Sequence, residues 1–514
     1  MAEQTPTMKK TLGLTGVTVN AMALIAPGAF LWITYQVQAS NNGGDTDMWT
    51  GIVAALIVAF LTALSFSQLA RKYPEAGAGG SYYFAEKAFL DRDKASHQRF
   101  ARLAKFATGW AAHLFYWVYT GVMVAMMSIL VTYIFGQFNV TLPIFVQILV
   151  AVVFAVAVGF IAVRGITGST TVAIVINVIQ LVSLIGFSIL AILFRLNNPL
   201  HATQWLHPSA FSIVWPHNIG AMLFQSTIAI LILVGFESST SLAGEAINPK
   251  KDIPRAVILA LIIQGLFAYL FEYFAANYAI SEKLVFINPD GSKLTGIAAA
   301  GASGAPIGDL TRLIGDSMLG GNGFALMMVV AVTVALAVVG TTLAAMNTAV
   351  RVSYAMAQDK EMPGLLGALH LKHLTPHAGV WTLVVVSAII GSVGVLNVTA
   401  LTGITLASNI GTFALYALIC TFTIVAFVGR HEFHGIKHAV VPVLGVIGNL
   451  GLLVAVVYYG LITPGVSADG TKMALYITFG WGLLSVLYLV WNSRTSGRHI
   501  VPPTELLKNA QKQI

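Results

Sequence analysis

The stretch Val234-Gly235-Phe236-Glu237-Ser238-Ser239-Thr240 sets a carboxylate beside a glycine and ahead of three hydroxyls, deep in an apolar run. If such a run crosses a membrane, an ionisable side chain in it costs roughly 3 kcal/mol by insertion scales, which makes Glu237 a functional candidate. A second interruption reads Asn20-Ala-Met-Ala-Leu-Ile-Ala-Pro27-Gly28-Ala29-Phe30. Proline removes a backbone donor and clashes with the preceding turn, while glycine admits unusual dihedrals, so a helix is expected to break there. Broken helix ends offer N–H groups to an anion and carbonyls to a cation, a polarity that suits a zwitterion. Glu272, in Leu270-Phe271-Glu272-Tyr273, is a second acid in an apolar run, and Glu245 is expected to pair with nearby bases. His113 allows two readings, a pocket role or a bond to a backbone carbonyl.

Positioning these groups falls to a chain that is 57% hydrophobic and only 9% charged over 514 residues. Soluble domains average about 25% charged residues, so ordinary soluble enzymes are excluded. Nucleic-acid binding is excluded as well, despite the formal charge of +8. The single cysteine, Cys420, rules out an intrachain disulfide framework and a cysteine-based metal cluster, and no cofactor is expected. A helix needs about 20 apolar residues to cross the hydrocarbon. Apolar runs fall near 12–40, 48–70, 104–135, 143–163, 168–194, 219–246, 256–280, 324–356, 379–396, 400–428, 440–463 and 473–492, giving twelve expected spans in an all-α membrane protein. The stretch after Lys9 and Lys10 is read as the first span rather than a cleaved signal.

Charge supports that count. With both termini inside, one side holds 23 of the 28 Lys and Arg, leaving Arg195, Lys283, Lys293, Arg312 and Lys472 on the other. That split follows the positive-inside rule. The basic excess therefore reads as topology. The inner loop carrying Arg92, Lys94, Arg99 and Arg102 is expected to be an anchored interfacial helix. In the outer loop 281–323, Ile307-Gly308-Asp309-Leu310 and Leu313-Ile314 are spaced like short surface helices, either over an outer vestibule or as an inert cap.

Three stretches, in order, are similar to a known family. They are Ala70-Arg-Lys-Tyr-Pro74-Glu-Ala-Gly77-Ala-Gly79-Gly80-Ser-Tyr82-Tyr-Phe-Ala-Glu86-Lys-Ala-Phe89, then Gly235-Phe-Glu237 with Glu245-Ala-Ile-Asn248-Pro249-Lys-Lys-Asp-Ile253-Pro254-Arg255-Ala256, then Arg351-Val-Ser-Tyr354-Ala-Met-Ala357-Gln-Asp359-Lys-Glu-Met-Pro363. Along nearly its whole length the chain resembles the amino acid–polyamine–organocation superfamily of secondary transporters. The resemblance implies a leucine-transporter-like fold of two inverted five-helix repeats followed by helices 11 and 12. It divides the chain into a cytoplasmic tail 1–11, a first repeat 12–194, a second repeat 195–428, helices 11 and 12 in 429–492 and a cytoplasmic tail 493–514. The setting it implies is the plasma membrane.

The resemblance also implies a site. Family members carry a Gly-x-Gly break in helix 1 whose N–H groups bind a substrate carboxylate; here the aligned residues are Ala26, Pro27 and Gly28, followed by Ala29. Pro27 departs from the pattern because it has no N–H, while Gly28 and Ala29 still form a helix start toward an anion. Carbonyls of Leu24, Leu231 and Val234 match the family's contacts to the amino group. The gate position, often aromatic, is Leu231 here, with Ile230 also aliphatic beside it and Gly235 at the break. An aliphatic wall offers no cation–π cap for a guanidinium, which favours a neutral, aliphatic amino acid. Tyr116 matches a second gate position.

Coupling stays open at this level. Glu237 matches a carboxylate linked to proton or substrate coupling. In helix 5 the position where proton-coupled relatives place a lysine is Gln180, which cannot titrate. Thr341 and Thr342 lie where sodium-coupled members supply hydroxyls, although such hydroxyls often bond only to the preceding turn. Proton symport, sodium symport near Gln180, Thr341 and Thr342, and exchange all remain, with a slight preference for the proton. A polyamine or organic amine permease is the alternative carrier, and a transporter-like receptor would share the same motifs. An enzyme is not expected, since no catalytic spacing such as HExxH appears.

Overall fold

The computed structural model describes residues 11–25, 29–41, 45–74, 79–164, 170–288, 290–370 and 375–511. Two short helices open the chain, α1 (Leu14–Ile25) and α2 (Ala29–Ala39), followed by the long α3 (Met48–Lys72). Then come α4 (Ser81–Leu90), α5 (Ala95–Gln98), α6 (Ala101–Gln137), α7 (Ile144–Val163), α8 (Thr170–Asn197), α9 (Ala210–Val214) and α10 (Ile219–Ala229). After a 3-10 stretch follow α11 (Pro249–Leu261), a π-helical segment Ile262–Tyr269, and α12 (Leu270–Ala279). A hairpin of β1 (Val285–Ile287) and β2 (Lys293–Thr295) pairs Phe286 with Leu294 and leads into α13 (Gly296–Ala302) and α14 (Pro306–Met318). The remainder is α15 (Gly323–Gln358), α16 (His377–Gly394), α17 (Val398–Phe427), α18 (Val441–Ile462), α19 (Val466–Ser496) and α20 (Thr504–Gln511).

Among the described residues, eleven helical segments are long and apolar enough to cross a membrane. They coincide with the second to twelfth runs expected from the sequence. The first run is instead two helices of 12 and 11 residues, α1 and α2. At 1.5 Å per residue neither alone reaches across about 30 Å of hydrocarbon. The expectation of twelve spans is thus met for eleven. The expected break at Ala26, Pro27 and Gly28 lies outside the described residues.

Local chemistry sets several boundaries. Asn218 and Asn397 start α10 and α17 by accepting from the N–H groups of Ala221 and Ala400. Pro249 and Pro306 open α11 and α14, where a missing N–H costs nothing. Burial then sorts the spans. In the apolar window of Ile219–Leu242, 78% of residues are buried, against 22% in α7 and 17% in α19. The segment bearing Glu237 is therefore interior, and α7 and α19 turn side chains to lipid.

The two ends of α6, about 55 Å apart by helix rise, are anchored differently. At its start Arg102 pairs with the buried Glu361 at 2.7 Å, and Arg498 reaches the same carboxylate at 2.9 Å. Lys105 bridges Glu86 and Asp359 at 2.6 and 2.9 Å, and the Tyr82 hydroxyl donates to Asp359. Arg102, expected in an interfacial helix, is thus part of a lock between α6, the loop after α15 and the segment after α19. Glu245 does pair with a base, Arg351, at 2.7 Å. At the other end of α6, Tyr133 donates to Asp309 of α14 at 2.8 Å, and Ser303 donates to the same carboxyl at 2.5 Å. The loop 281–323 carries helices as expected, while its hairpin had no clear sequence signal.

Candidate functional site

The expected interruption after α10 is present. The α-helix gives way to a 3-10 turn, Ile230–Ile232, then to Leu233, Val234 and Gly235, and resumes as a 3-10 helix, Phe236–Leu242. Gly235 makes this possible. Its φ of +121° is a conformation that side chains disfavour, and a Cβ there would lie 2.8 Å from the Ile25 nitrogen and 2.9 Å from the Leu24 carbonyl carbon. The break therefore sits directly against the end of α1.

Glu237 closes the gap. In a continuous helix the Gly235 N–H would bond the Leu231 carbonyl; here it donates to Glu237 Oε2 at 2.9 Å. The Tyr416 hydroxyl donates to the same oxygen at 2.8 Å and the Tyr116 hydroxyl donates to Oε1 at 2.9 Å. Three donors from α6, α17 and the broken backbone thus converge on one fully buried carboxylate. A hydroxyl both donates and accepts, so either tyrosine can accept from the single O–H of a protonated acid by reversing its hydrogen while the other goes on donating. This arrangement braces the unwound segment and can change its proton content without losing its partners.

The carbonyls at the end of α1 are also engaged. Leu24 O accepts from the Tyr119 hydroxyl and Ile25 O from the Tyr269 hydroxyl, each at 2.9 Å. Ile230, Leu231 and Val234 are buried beside them. The structure thus brings together Leu24, Tyr116, Ile230, Leu231, Val234, Gly235 and Glu237. Ala26, Pro27 and Gly28 fall outside the described residues, and Ala29 is the first residue of α2.

The residues considered for a sodium site divide. Thr341 donates its hydroxyl toward Ala23 O of α1 at 3.0 Å and toward Ala337 O at 2.9 Å. Among the described residues Thr342 bonds only back to its own helix, at Val338 O, a common structural pattern. Gln180 is buried, and its Oε1 has no hydrogen-bond partner among the described residues. Near it in sequence, Asn177 Oδ1 accepts from Gln264 Nε2, which also donates to Met22 O at 3.0 Å. Gln264 therefore ties the π-helical segment to α1 and α8.

His113 is bonded at both ring nitrogens. One ring nitrogen lies 2.6 Å from Gly109 O and the other 2.8 Å from Ser353 Oγ. Glu272 is buried without a partner for either oxygen among the described residues.

Tyr416, Tyr119, Tyr269 and Gln264 were not singled out from the sequence. Tyr119 had a legible signal, since it lies one turn beyond Tyr116 on the same face. Gln264 had another, as an amide in an apolar span. Tyr416 had none beyond its type.

Comparison with known proteins sets these features in a family. Residues 10–484 match the family model described as amino acid permease. The chain is 25% identical over 287 residues to the low-affinity putrescine importer PlaP of Escherichia coli, an alignment covering 56% of this chain and 58% of the importer. The chain thus aligns with less than two thirds of that protein's length. It is 21% identical to the branched-chain amino acid permease BcaP of Bacillus subtilis, covering 81% of each chain. It is 22% identical to the methylthioribose transporter of Bacillus subtilis, again over 81% of each.

Proposed function

This chain belongs to the amino acid permease family, and from that premise we propose that it is a secondary active transporter for a neutral, aliphatic amino acid. In this reading the substrate lies between the helix break at Ala26–Ala29 and the break at Leu231–Gly235. Its ammonium group meets carbonyls of Leu24, Leu231 and Val234, and its carboxylate meets the N–H groups of Gly28 and Ala29. Leu231 and Ile230 form an apolar wall for the side chain. The repeats 12–194 and 195–428 move relative to each other, giving alternating access in the plasma membrane, with both tails in the cytoplasm.

The observation that carries the reading is the convergence of Tyr116, Tyr416 and the Gly235 N–H on Glu237 at a helix break. A titratable group hydrogen-bonded to the backbone of the break couples proton loading to the segment that would contact substrate. Proton symport through Glu237 is therefore the coupling we favour. The approach of Thr341 to the Ala23 carbonyl supports the second reading, a sodium site between α1 and α15 near Gln180.

Uptake by protein reconstituted into vesicles, with proton and sodium gradients imposed separately, tests both. Proton-driven accumulation of leucine, isoleucine or valine is expected. Dependence on sodium alone would replace the proton reading by the sodium one. Exchange of internal for external substrate with neither gradient active would replace both by an antiporter. The putrescine importer among the relatives motivates including amines in the same assay, and uptake of putrescine in preference to every amino acid would overturn the substrate assignment.

A further inference from the structure

Where α3 and α17 end and α11 begins, the surface holds a cleft of about 420 Å³. The start of α18's span forms its remaining wall. Arg71, Lys72, Lys250 and Lys437 line it, against one carboxylate, Glu432. Lys72 is already matched: its Nζ lies 3.2 Å from Glu432 and 3.5 Å from Asp91, and 4.8 Å above the Phe427 ring. The pairing holds the Glu432 carboxyl below the usual carboxylate range. Arg71, Lys250 and Lys437 are exposed and have no carboxylate partner among the described residues. Three unmatched cations from three separate elements therefore converge on one concavity.

The floor is rigid. The Phe427 and His438 rings stack at 3.8 Å and 12°. His438 is held at both nitrogens, accepting from the His434 N–H at 3.0 Å and lying 3.3 Å from Gln68 Oε1. Beside the cleft the surface turns apolar and exposed, with Ile247 at 52%, Ile436 at 62% and Val440 at 51%. All three belong to or border helices that enter the hydrocarbon here. A cationic pocket at the mouth of a lipid-facing apolar strip matches a molecule with an anionic head and apolar tails.

We propose that this cleft binds the phosphate-bearing headgroup of an acidic phospholipid, with Arg71, Lys250 and Lys437 around the phosphate and the acyl chains along Ile436 and Val440. Like charges gathered without counter-charge repel one another and favour an anion between them. Because the site joins the ends of α3, α11, α17 and α18, bound lipid would fasten these helices together. It shares no residue with the proposed substrate site and does not depend on what is transported.

The test uses the full chain purified in a neutral detergent. Melting temperature and native mass spectra are recorded with added phosphatidylglycerol, phosphatidylcholine or soluble glycerol 3-phosphate. Phosphatidylglycerol is expected to raise Tm by several degrees and to remain attached in the mass spectra; the other two are not. The triple variant Arg71→Gln, Lys250→Gln, Lys437→Gln should weaken phosphatidylglycerol binding about tenfold or more. A charge-matched control, Lys251→Gln, Arg255→Gln, Arg494→Gln, should leave it unchanged. Equal protection by phosphatidylcholine, or equal loss in the control, would overturn the site. Equal protection by glycerol 3-phosphate would assign the cleft to a soluble phosphate and overturn the lipid. Should the triple variant elute as aggregate, single Lys250→Gln and Lys437→Gln variants read by mass spectrometry decide, and undiminished lipid retention in both would refute the proposal.

Discussion

The Tyr416 hydroxyl donates to Glu237 Oε2 at 2.8 Å, joining residues 179 positions apart. The same oxygen accepts the Gly235 N–H, so a side chain on α17 and the backbone of the helix break share one acceptor. Whatever changes the charge on that oxygen is felt at once by a long helix and by the unwound segment.

Glu237→Gln should abolish proton-driven accumulation while permitting exchange of internal for external substrate. Glutamine preserves the shape and part of the hydrogen bonding but mimics only the protonated acid. Tyr416→Phe should reduce uptake about tenfold, since a hydrogen bond to a charged group contributes roughly 1.5–3 kcal/mol. Radiolabelled flux in proteoliposomes checks both, and full accumulation by the glutamine variant would remove Glu237 from coupling.

Gly235→Ala should be inactive and less stable by about 1–3 kcal/mol, the usual cost of backbone strain at a disfavoured dihedral. The added methyl has nowhere to go, because α1 backbone atoms lie within 3 Å of its position. Comparing melting temperature and uptake for wild type and variant is decisive: unchanged values in both would mean that α1 can withdraw from the break without penalty.

Leu231→Trp should select against the larger neutral amino acids while sparing the smallest. Leu231 is only 2% exposed, so the ring must take its volume from the space we assign to substrate. Overpacking costs about 1–3 kcal/mol in its own right. The substrate profile is therefore measured as ratios between amino acids, which a general loss of stability does not alter. An unchanged ratio of leucine to alanine uptake would take position 231 out of the gate.

Asp309 gives a pH dependence outside the spans. Burial pushes its carboxyl above the usual value of 3.8, against hydrogen bonds from Ser303 and Tyr133 that pull it down. The folded protein thus keeps this proton to higher pH than the unfolded chain does. Relative to Asp309→Asn, the wild type loses stability as pH rises from the unfolded carboxyl range through the raised folded value, and loses no more above it. Melting temperatures from about pH 4 to 8 should show the gap widening in favour of the asparagine variant. A gap of constant size would show that the carboxyl titrates alike in both states.

Much of this architecture was legible because membrane spans are long and nearly uniform in hydropathy. The runs from 48–70 to 473–492 each became a helical segment, and Gly235 next to Glu237 announced the break after α10. The contacts of Glu237 were hidden for a geometric reason. Tyr116 and Tyr416 meet it from spans whose relative rotation is fixed by packing, which no local pattern records. The π-helical turn before α12 was hidden too, since Ile262–Tyr269 reads as ordinary apolar helix and nothing in that pattern shows that Gln264 donates to Met22 O. Thr342 shows the converse: its residue type fitted a cation site, but its hydroxyl bonds to the turn before it.

The tyrosine hydroxyls on Leu24 O and Ile25 O have a kinetic meaning for the proposed carrier. A carrier that held its cargo too firmly would never let go, and turnover falls as residence time grows. In the proposed binding mode an arriving ammonium would share the Leu24 carbonyl with the Tyr119 hydroxyl, which already occupies one of its two lone pairs. In the proposed cycle these two carbonyls would keep a hydrogen-bond donor with or without cargo, so release would leave neither of them bare.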